Sequence, residues 1–211
     1  MESNIEIYKK TQDIIYNELV PIINSIGEEI EGNIILDVYT MKCYDTSSQF
    51  YNKINNIITT AKQSNVKNGL EIGFNCGCSA LLLLLSNPDL CLTCIDICIH
   101  KYTIPCYQKL KELFGNRINL LNGSSNDIMP HLIENTYDFI HIDGSHDYNI
   151  ANNDILYSIK VAKNNAILIM DDTNQETLKY LWSQYKLKYS MIEPPFELTQ
   201  IIEHDIKILK K

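Results

Sequence analysis

From residue 66 onward the chain alternates short apolar runs with amphipathic stretches, which restricts it to a sheet covered by helices on both faces. The runs at 66–72, 91–97, 118–122, 137–143, 166–171, 189–192 and 199–209 read as strands. The stretches 78–86, 103–114, 125–133, 148–162 and 175–185 read as the helices between them. Strands joined through helices lie parallel. The last two strands are joined only through Pro194-Pro195, too short for a crossover helix, so the final strand returns antiparallel. The expected fold is α/β: a seven-stranded, mostly parallel sheet with its last strand antiparallel, over residues 66–211.

Residues 1–65 follow another pattern. Ile14, Ile15, Leu19, Ile22 and Ile23 recur at helical spacing, with Pro21 expected to kink or end the helix. Phe50, Ile54, Ile57, Ile58 and Ala61 share one face of a second helix, which Ser47 or Ser48 would cap. This segment reads as a helical extension of the main domain rather than an independent unit. Tyr39, Tyr44 and Tyr51 would line a lid over an acceptor pocket, and the first helix would pack on the domain or serve a homodimer.

Composition narrows the class of partner. The net charge is -8 and Arg117 is the only arginine, a balance that weighs against nucleic acid. No apolar run approaches the ~18–20 residues of a membrane span, and the N-terminus has no apolar signal core. Seven cysteines without a signal segment read as reduced thiols of a cytoplasmic protein. Cys76, Cys78, Cys91 and Cys94 loosely mimic a zinc knuckle, but Cys91 and Cys94 fall on opposite faces of a strand.

In open α/β sheets, ligands sit beyond the carboxyl ends of the strands. After the first strand comes Glu71-Ile72-Gly73-Phe74-Asn75-Cys76-Gly77-Cys78-Ser79, whose glycines permit a tight turn into a helix N-terminus. After the second strand stand Asp96 and Ile97, the acid suited to two ribose hydroxyls. After the third come Gly123, Ser124 and Ser125, small enough to border an adenine. The loop lacks the G-x-G-x-x-G spacing of a dinucleotide site.

The fourth strand ends in Asp143-Gly144-Ser145-His146-Asp147 and the fifth in Asp171-Asp172-Thr173. Three carboxylates over one crevice repel unless a cation neutralises them, and all-oxygen ligation favours Mg²⁺ or a similar hard ion. His146 stands close enough to take a proton near neutral pH.

Glu71-Ile72-Gly73-Phe74-Asn75-x-Gly77-x-Ser79-Ala80-Leu81 resembles motif I of class I S-adenosylmethionine-dependent methyltransferases. The stretches from Asp96 to Tyr102, Gly123-Ser124-Ser125 and Phe139 to His146 resemble their metal-dependent O-methyltransferase group. That group includes macrocin-type sugar methyltransferases and, more distantly, catechol O-methyltransferase. The resemblance covers residues 66–173 and implies a Rossmann-like fold. It implies cofactor contacts from Glu71, Gly73, Phe74, Asn75, Gly77, Ser79, Asp96, Ile97, Ser124, Ser125 and Asp143. It also implies Asp143, Asp171 and Asp172 as metal ligands and His146 as base, with Asp143 at the reacting centre. Catechol O-methyltransferase has Asn at the place of Asp172 and a lysine base, which Gly144-Ser145-His146 does not supply. The implied acceptor is therefore a small hydroxylated molecule, a sugar or glycoside.

Duller roles compete with these. Asp147 caps the next helix, as Asp172 or Thr173 would cap the one after. His141 reads as a buried strand residue rather than part of an iron-binding triad. His100 and Tyr102 would flank the adenine or lie idle on the surface. A catalytically silent cofactor-binding module and a dinucleotide-dependent sugar-modifying enzyme are the alternative functions.

Overall fold

A computed structural model describes residues 2–211. Its main sheet has six strands: β3 (Asn68–Ile72), β4 (Cys91–Asp96), β5 (Ile118–Asn122), β6 (Tyr137–Ile142), β7 (Ala162–Asp171) and β8 (His204–Ile208). β1 (Leu36–Asp37) and β2 (Lys42–Cys43) form a separate small hairpin. The order across the main sheet is β5-β4-β3-β6-β7-β8. All pairings are parallel except β7 with β8. The mostly parallel Rossmann-like sheet and its antiparallel last strand are thus as expected. The seventh strand is not: around 189–192 only Ile192 pairs, bridging Ile208. Pro194 and Pro195 follow one residue later and cannot donate to a ladder.

The helices are α1 (Asn4–Ile14), α2 (Val20–Ile26), α3 (Phe50–Ala61), α4 (Cys78–Ser86), α5 (Thr103–Phe114), α6 (Ser125–Ile128), α7 (Tyr148–Val161) and α8 (Glu176–Lys188). Pro21 does not end the first helix. A π turn over Ile15–Leu19 carries α1 into α2 and places the proline in the first turn of α2, where its missing N–H costs little. Gly27, left-handed at φ 70°, closes it. Pro130 likewise cuts α6 short of the expected 125–133, leaving a 3₁₀ turn at Met129–His131. β7 begins four residues earlier than expected because Ala162 pairs with Tyr137 across an irregularity in register, a start hidden by polar Lys163, Asn164 and Asn165.

Two apolar layers sandwich the sheet. On one face Ile140, Ile142, Leu168 and Met170 pack with Ile155, Ile159 and Trp182. On the other, Phe139, Ile167 and Ile169 pack with Leu81, Leu82, Ile54, Ile57, Tyr8 and Ile15, so α1 and α3 share the core of the main sheet. Helix α4 is buried on almost every side, which is why its sequence is apolar all round. Among the described residues no helix is long and apolar enough to cross a membrane. This layering brings the carboxyl ends of β3, β4, β6 and β7 to one edge, beneath the N-terminal segment.

Candidate active site

One cavity of about 690 Å³ opens at that edge. Its walls include Gly73, Phe74, Asn75 and Ser79 after β3, Asp96 and Ile97 after β4, and Ser124 and Ser125 after β5. Asp143 and His146 after β6 line it too, with Asp171 and Asp172 after β7. Most residues singled out from the sequence therefore meet in one space. Of the residues expected to hold the cofactor, the metal or the proton, two do not reach its wall. Gly77 sits behind it, at φ 81°, where a side chain would run into the Phe74 ring. Glu71 is fully buried and bonds His141 and Cys94.

The cofactor loop is held from both sides. Gly73 has φ 93°, and a Cβ there would collide with the carbonyl oxygen of Asp143. Asp96 Oδ2 accepts the backbone N–H groups of Phe74 and Asn75, both at 2.8 Å, and Oδ1 accepts that of Cys98 at 2.7 Å. The acid expected to meet a ribose thus also pins the loop. Asn75 Nδ2 donates to Gly32 O at 3.2 Å, while its buried Oδ1 has no partner. Ile97 and Ile99 expose apolar surface to the cavity. Ser124 caps α6 by accepting the Asn126 N–H.

The N-terminal segment closes over this end. His100 Nδ1 bonds Glu28 Oε1 at 2.7 Å and stacks on Tyr102, their ring centroids 5.0 Å apart. Asn33 Nδ2 reaches Cys76 Sγ at 3.1 Å. Farther along, Tyr44 and Phe50 stack with centroids 4.4 Å apart, and both line the cavity. Of the tyrosines expected near an acceptor, Tyr44 is on the wall, while Tyr39 is 93% exposed on the hairpin.

At the acidic end, Asp171 is buried and His146 half exposed. Asp171 Oδ1 contacts Lys53 Nζ at 2.5 Å and accepts the Asp172 N–H at 2.8 Å. His146 Nε2 lies 2.8 Å from Asp172 Oδ2. Asp172 adopts φ 52°, in the left-handed region that few non-glycine residues take. Burial, reinforced by the charge of Asp171, pushes Asp143 up to about 7. Burial also opposes ionisation of Asp171, yet Lys53 and His141 hold its carboxyl well below the usual range. Burial opposes the charge on His141 as well, but Asp171 and Glu71 outweigh it and push the ring up to about 10. Asp143 and Asp171 bring carboxylate oxygens together here, donors of the kind a hard divalent cation takes, and Lys53 stands against Asp171 as a positive charge. Carboxylate oxygens of Asp143 and Asp171 and a ring nitrogen of His141 lie within 4.8 Å of one another. Lys53 escaped the sequence reading. Its only signal was a lysine on the flank of the apolar α3 face, between Phe50 and Ile57.

The fold and cavity define a class. Residues 70–173 match the family described as a methyltransferase domain. No curated protein matches the chain by sequence. Among solved structures, a putative caffeoyl-CoA O-methyltransferase from Staphylococcus aureus aligns at TM-score 0.63 and 16% identity, covering 96% of this chain and 98% of that one. An O-methyltransferase from Streptomyces achromogenes, involved in tomaymycin synthesis and solved with S-adenosylmethionine, aligns at 0.63 and 13%, covering 100% and 92%. A methyltransferase from Podospora anserina bound to S-adenosylhomocysteine aligns at 0.62 and 17%, covering 100% and 98%. Residues 70–173 thus match a methyltransferase domain, and the chain as a whole shares the class I fold of these methyltransferases.

Proposed function

We propose that this protein transfers the methyl group of S-adenosylmethionine to a hydroxyl oxygen of a small acceptor, a sugar or glycoside. A single observation carries the reading: the Gly73–Ser79 loop and the Asp172–His146 pair line the same cavity. The O-methyltransferases among its structural neighbours support oxygen as the acceptor atom.

Gly73 brings bare backbone up to the cofactor, and the N-terminus of α4 offers amides to its carboxylate. Asp96 and Ser125 stand where ribose and adenine would lie, between the apolar walls of Ile97 and Ile99. The stacked Tyr44–Phe50 pair supplies a flat surface for an acceptor ring.

The S–CH₃ bond breaks as the O–CH₃ bond forms, and the hydroxyl proton must leave. With Nε2 donating to Asp172, His146 keeps Nδ1 as the proton acceptor, and Asp172 steadies the imidazolium that results. The half-exposed ring then returns the proton to solvent. Asp143, Asp171 and Asp172 are the carboxylates that would hold a divalent ion, and such an ion would supply charge stabilisation at the acceptor oxygen.

The test is methyl transfer from labelled S-adenosylmethionine to a panel of glycosides and other hydroxylated compounds, with and without chelator. O-methylated product supports the reading. Methylation confined to nitrogen, carbon or sulfur acceptors overturns it.

A further inference from the structure

We propose that the acceptor is a hydroxylated molecule bearing a basic amine, an amino sugar or its glycoside, and that Glu203 is the residue that selects it. This rests on the methyltransferase reading and names the substrate class of the same cavity.

The wall offers nothing to an anion. Its basic side chains are Lys53, His100 and His146, and each is already engaged. Lys53 lies against Asp171, His146 against Asp172, and His100 between Glu28 and Glu31. Lys53 is itself 13% exposed and faces a carboxylate that is 2% exposed, so its charge is matched inside the fold. A phosphate, a carboxylate or a CoA chain entering here would lose hydration and gain no free positive partner, which is costly.

The acids are not balanced in the same way. Asp96 receives three backbone N–H groups, and Asp143 and Asp171 belong to the end suited to an ion. Glu203 remains. It stands immediately before β8, and its carbonyl accepts the Thr173 N–H at 3.1 Å while Thr173 Oγ1 donates to Ile202 O at 2.9 Å. These bonds hold it next to the Asp172–Asn174 turn, on the cavity wall. Its Oε2 accepts the Ile202 N–H at 3.1 Å, a bond that leaves the negative charge without a counter-ion.

The aromatic part of the wall has the same preference. Phe50 lies one turn before Lys53 on α3 and stacks on Tyr44, both lining the cavity. Aromatic faces attract cations. A cleft of this sign concentrates cationic ligands, and the chain's net charge of -8 acts in the same direction. A divalent ion at the acidic end would offset Asp143 and Asp171 and leave Glu203 as it is. An amine paired with Glu203 leaves the hydroxyls of the same molecule for His146, which lines the same space.

The experiment uses the full chain and a panel of amino-sugar glycosides, each with its N-acetylated and its phosphorylated counterpart. Methyl transfer from labelled S-adenosylmethionine gives kcat/KM for each compound, and saturation-transfer NMR gives its binding to the S-adenosylhomocysteine complex. Wild type and Glu203→Gln are compared, with S-adenosylhomocysteine calorimetry on both. The expected result is a preference of about tenfold or more for the free amine over its N-acetylated form, with the phosphorylated form poorest. The preference shrinks as salt is raised. In Glu203→Gln it falls to about threefold or less. The wild-type ranking and its salt dependence decide the matter even if Glu203→Gln does not fold. Equal or better use of the phosphorylated or N-acetylated compounds overturns the proposal, as does an unaltered preference in Glu203→Gln. Failure of every amine-bearing compound to bind the complex overturns it too. Calorimetry separates these outcomes from failure of the methyltransferase reading, which would show as absent cofactor binding.

Discussion

Lys53, on helix α3, places its Nζ 2.5 Å from Oδ1 of Asp171 at the end of β7, joining the N-terminal extension to the acidic end of the cavity. The lysine side chain is 13% exposed and that of Asp171 2%, so the pair is largely withdrawn from water. Removing one partner of a buried pair leaves an uncompensated charge, which costs about 3–5 kcal/mol. Lys53→Met should lose about 3 kcal/mol in urea denaturation. Asp171→Asn added to it should restore part of the loss, because the two changes act on one interaction. Simple additivity of the two would show that the contact contributes no coupling.

Gly73→Ala is expected to weaken S-adenosylhomocysteine binding at least tenfold. The backbone there stands at φ 93°, and the new methyl meets the carbonyl of Asp143. The loop must shift to relieve that clash, and a displacement that costs binding about 1.4 kcal/mol or more is a tenfold loss. Equal affinity in calorimetry would mean that the loop does not approach the ligand closely.

The Asp172–His146 contact of 2.8 Å gives a kinetic expectation. His146→Gln should lower kcat by about 10²–10⁴ on whichever hydroxylated acceptor the wild type methylates. Cofactor affinity should not change. Asp172→Asn should reduce kcat less, since the ring keeps its place while the imidazolium loses its counter-charge. A change in KM for the acceptor with unaltered kcat would assign His146 to binding instead.

Much of this was legible beforehand. Helices α4 and α5 and strand β5 fall where apolar periodicity put them. The loop after β3 and the acids after β6 and β7 each follow the carboxyl end of a strand, and β3, β6 and β7 are neighbours in the sheet, so their meeting follows from strand order. Lys53 was hidden for the opposite reason. Its partner belongs to the far side of the chain, and periodicity carries no signal for a contact made through tertiary packing. Asp96 was read as a ligand for ribose, but the sequence could not reveal that its oxygens also receive three backbone N–H groups. His141 was rightly read as buried, while its contact with Glu71 depends on the register that sets the two opposite each other.

His204 links stability to pH. Burial, helped by the nearby charges of Lys53 and His141, lowers its ring to about 4 from the ordinary 6.5, although Asp171 opposes the shift. Asn56 Nδ2 lies 3.1 Å from its Nε2, which therefore serves as acceptor in the neutral ring. Between these two values the unfolded chain holds a proton that the folded chain does not, so stability falls as pH drops, by about 1.4 kcal/mol per unit. Relative to His204→Gln, the wild type should lose up to about 3 kcal/mol across that window. A difference between the two proteins that stays constant with pH would remove His204 from the account.

The central claim is that the Glu71–Ser79 loop and Asp96 form a site for S-adenosylmethionine. Calorimetric titration of the wild-type chain with S-adenosylhomocysteine tests it most directly. The account predicts saturable one-to-one binding with a Kd on the order of 1–100 μM, a range typical of enzyme ligands. It also predicts that Asp171→Asn retains this binding and Gly73→Ala loses most of it. No binding by the wild type, with divalent ion present or absent, would contradict the account.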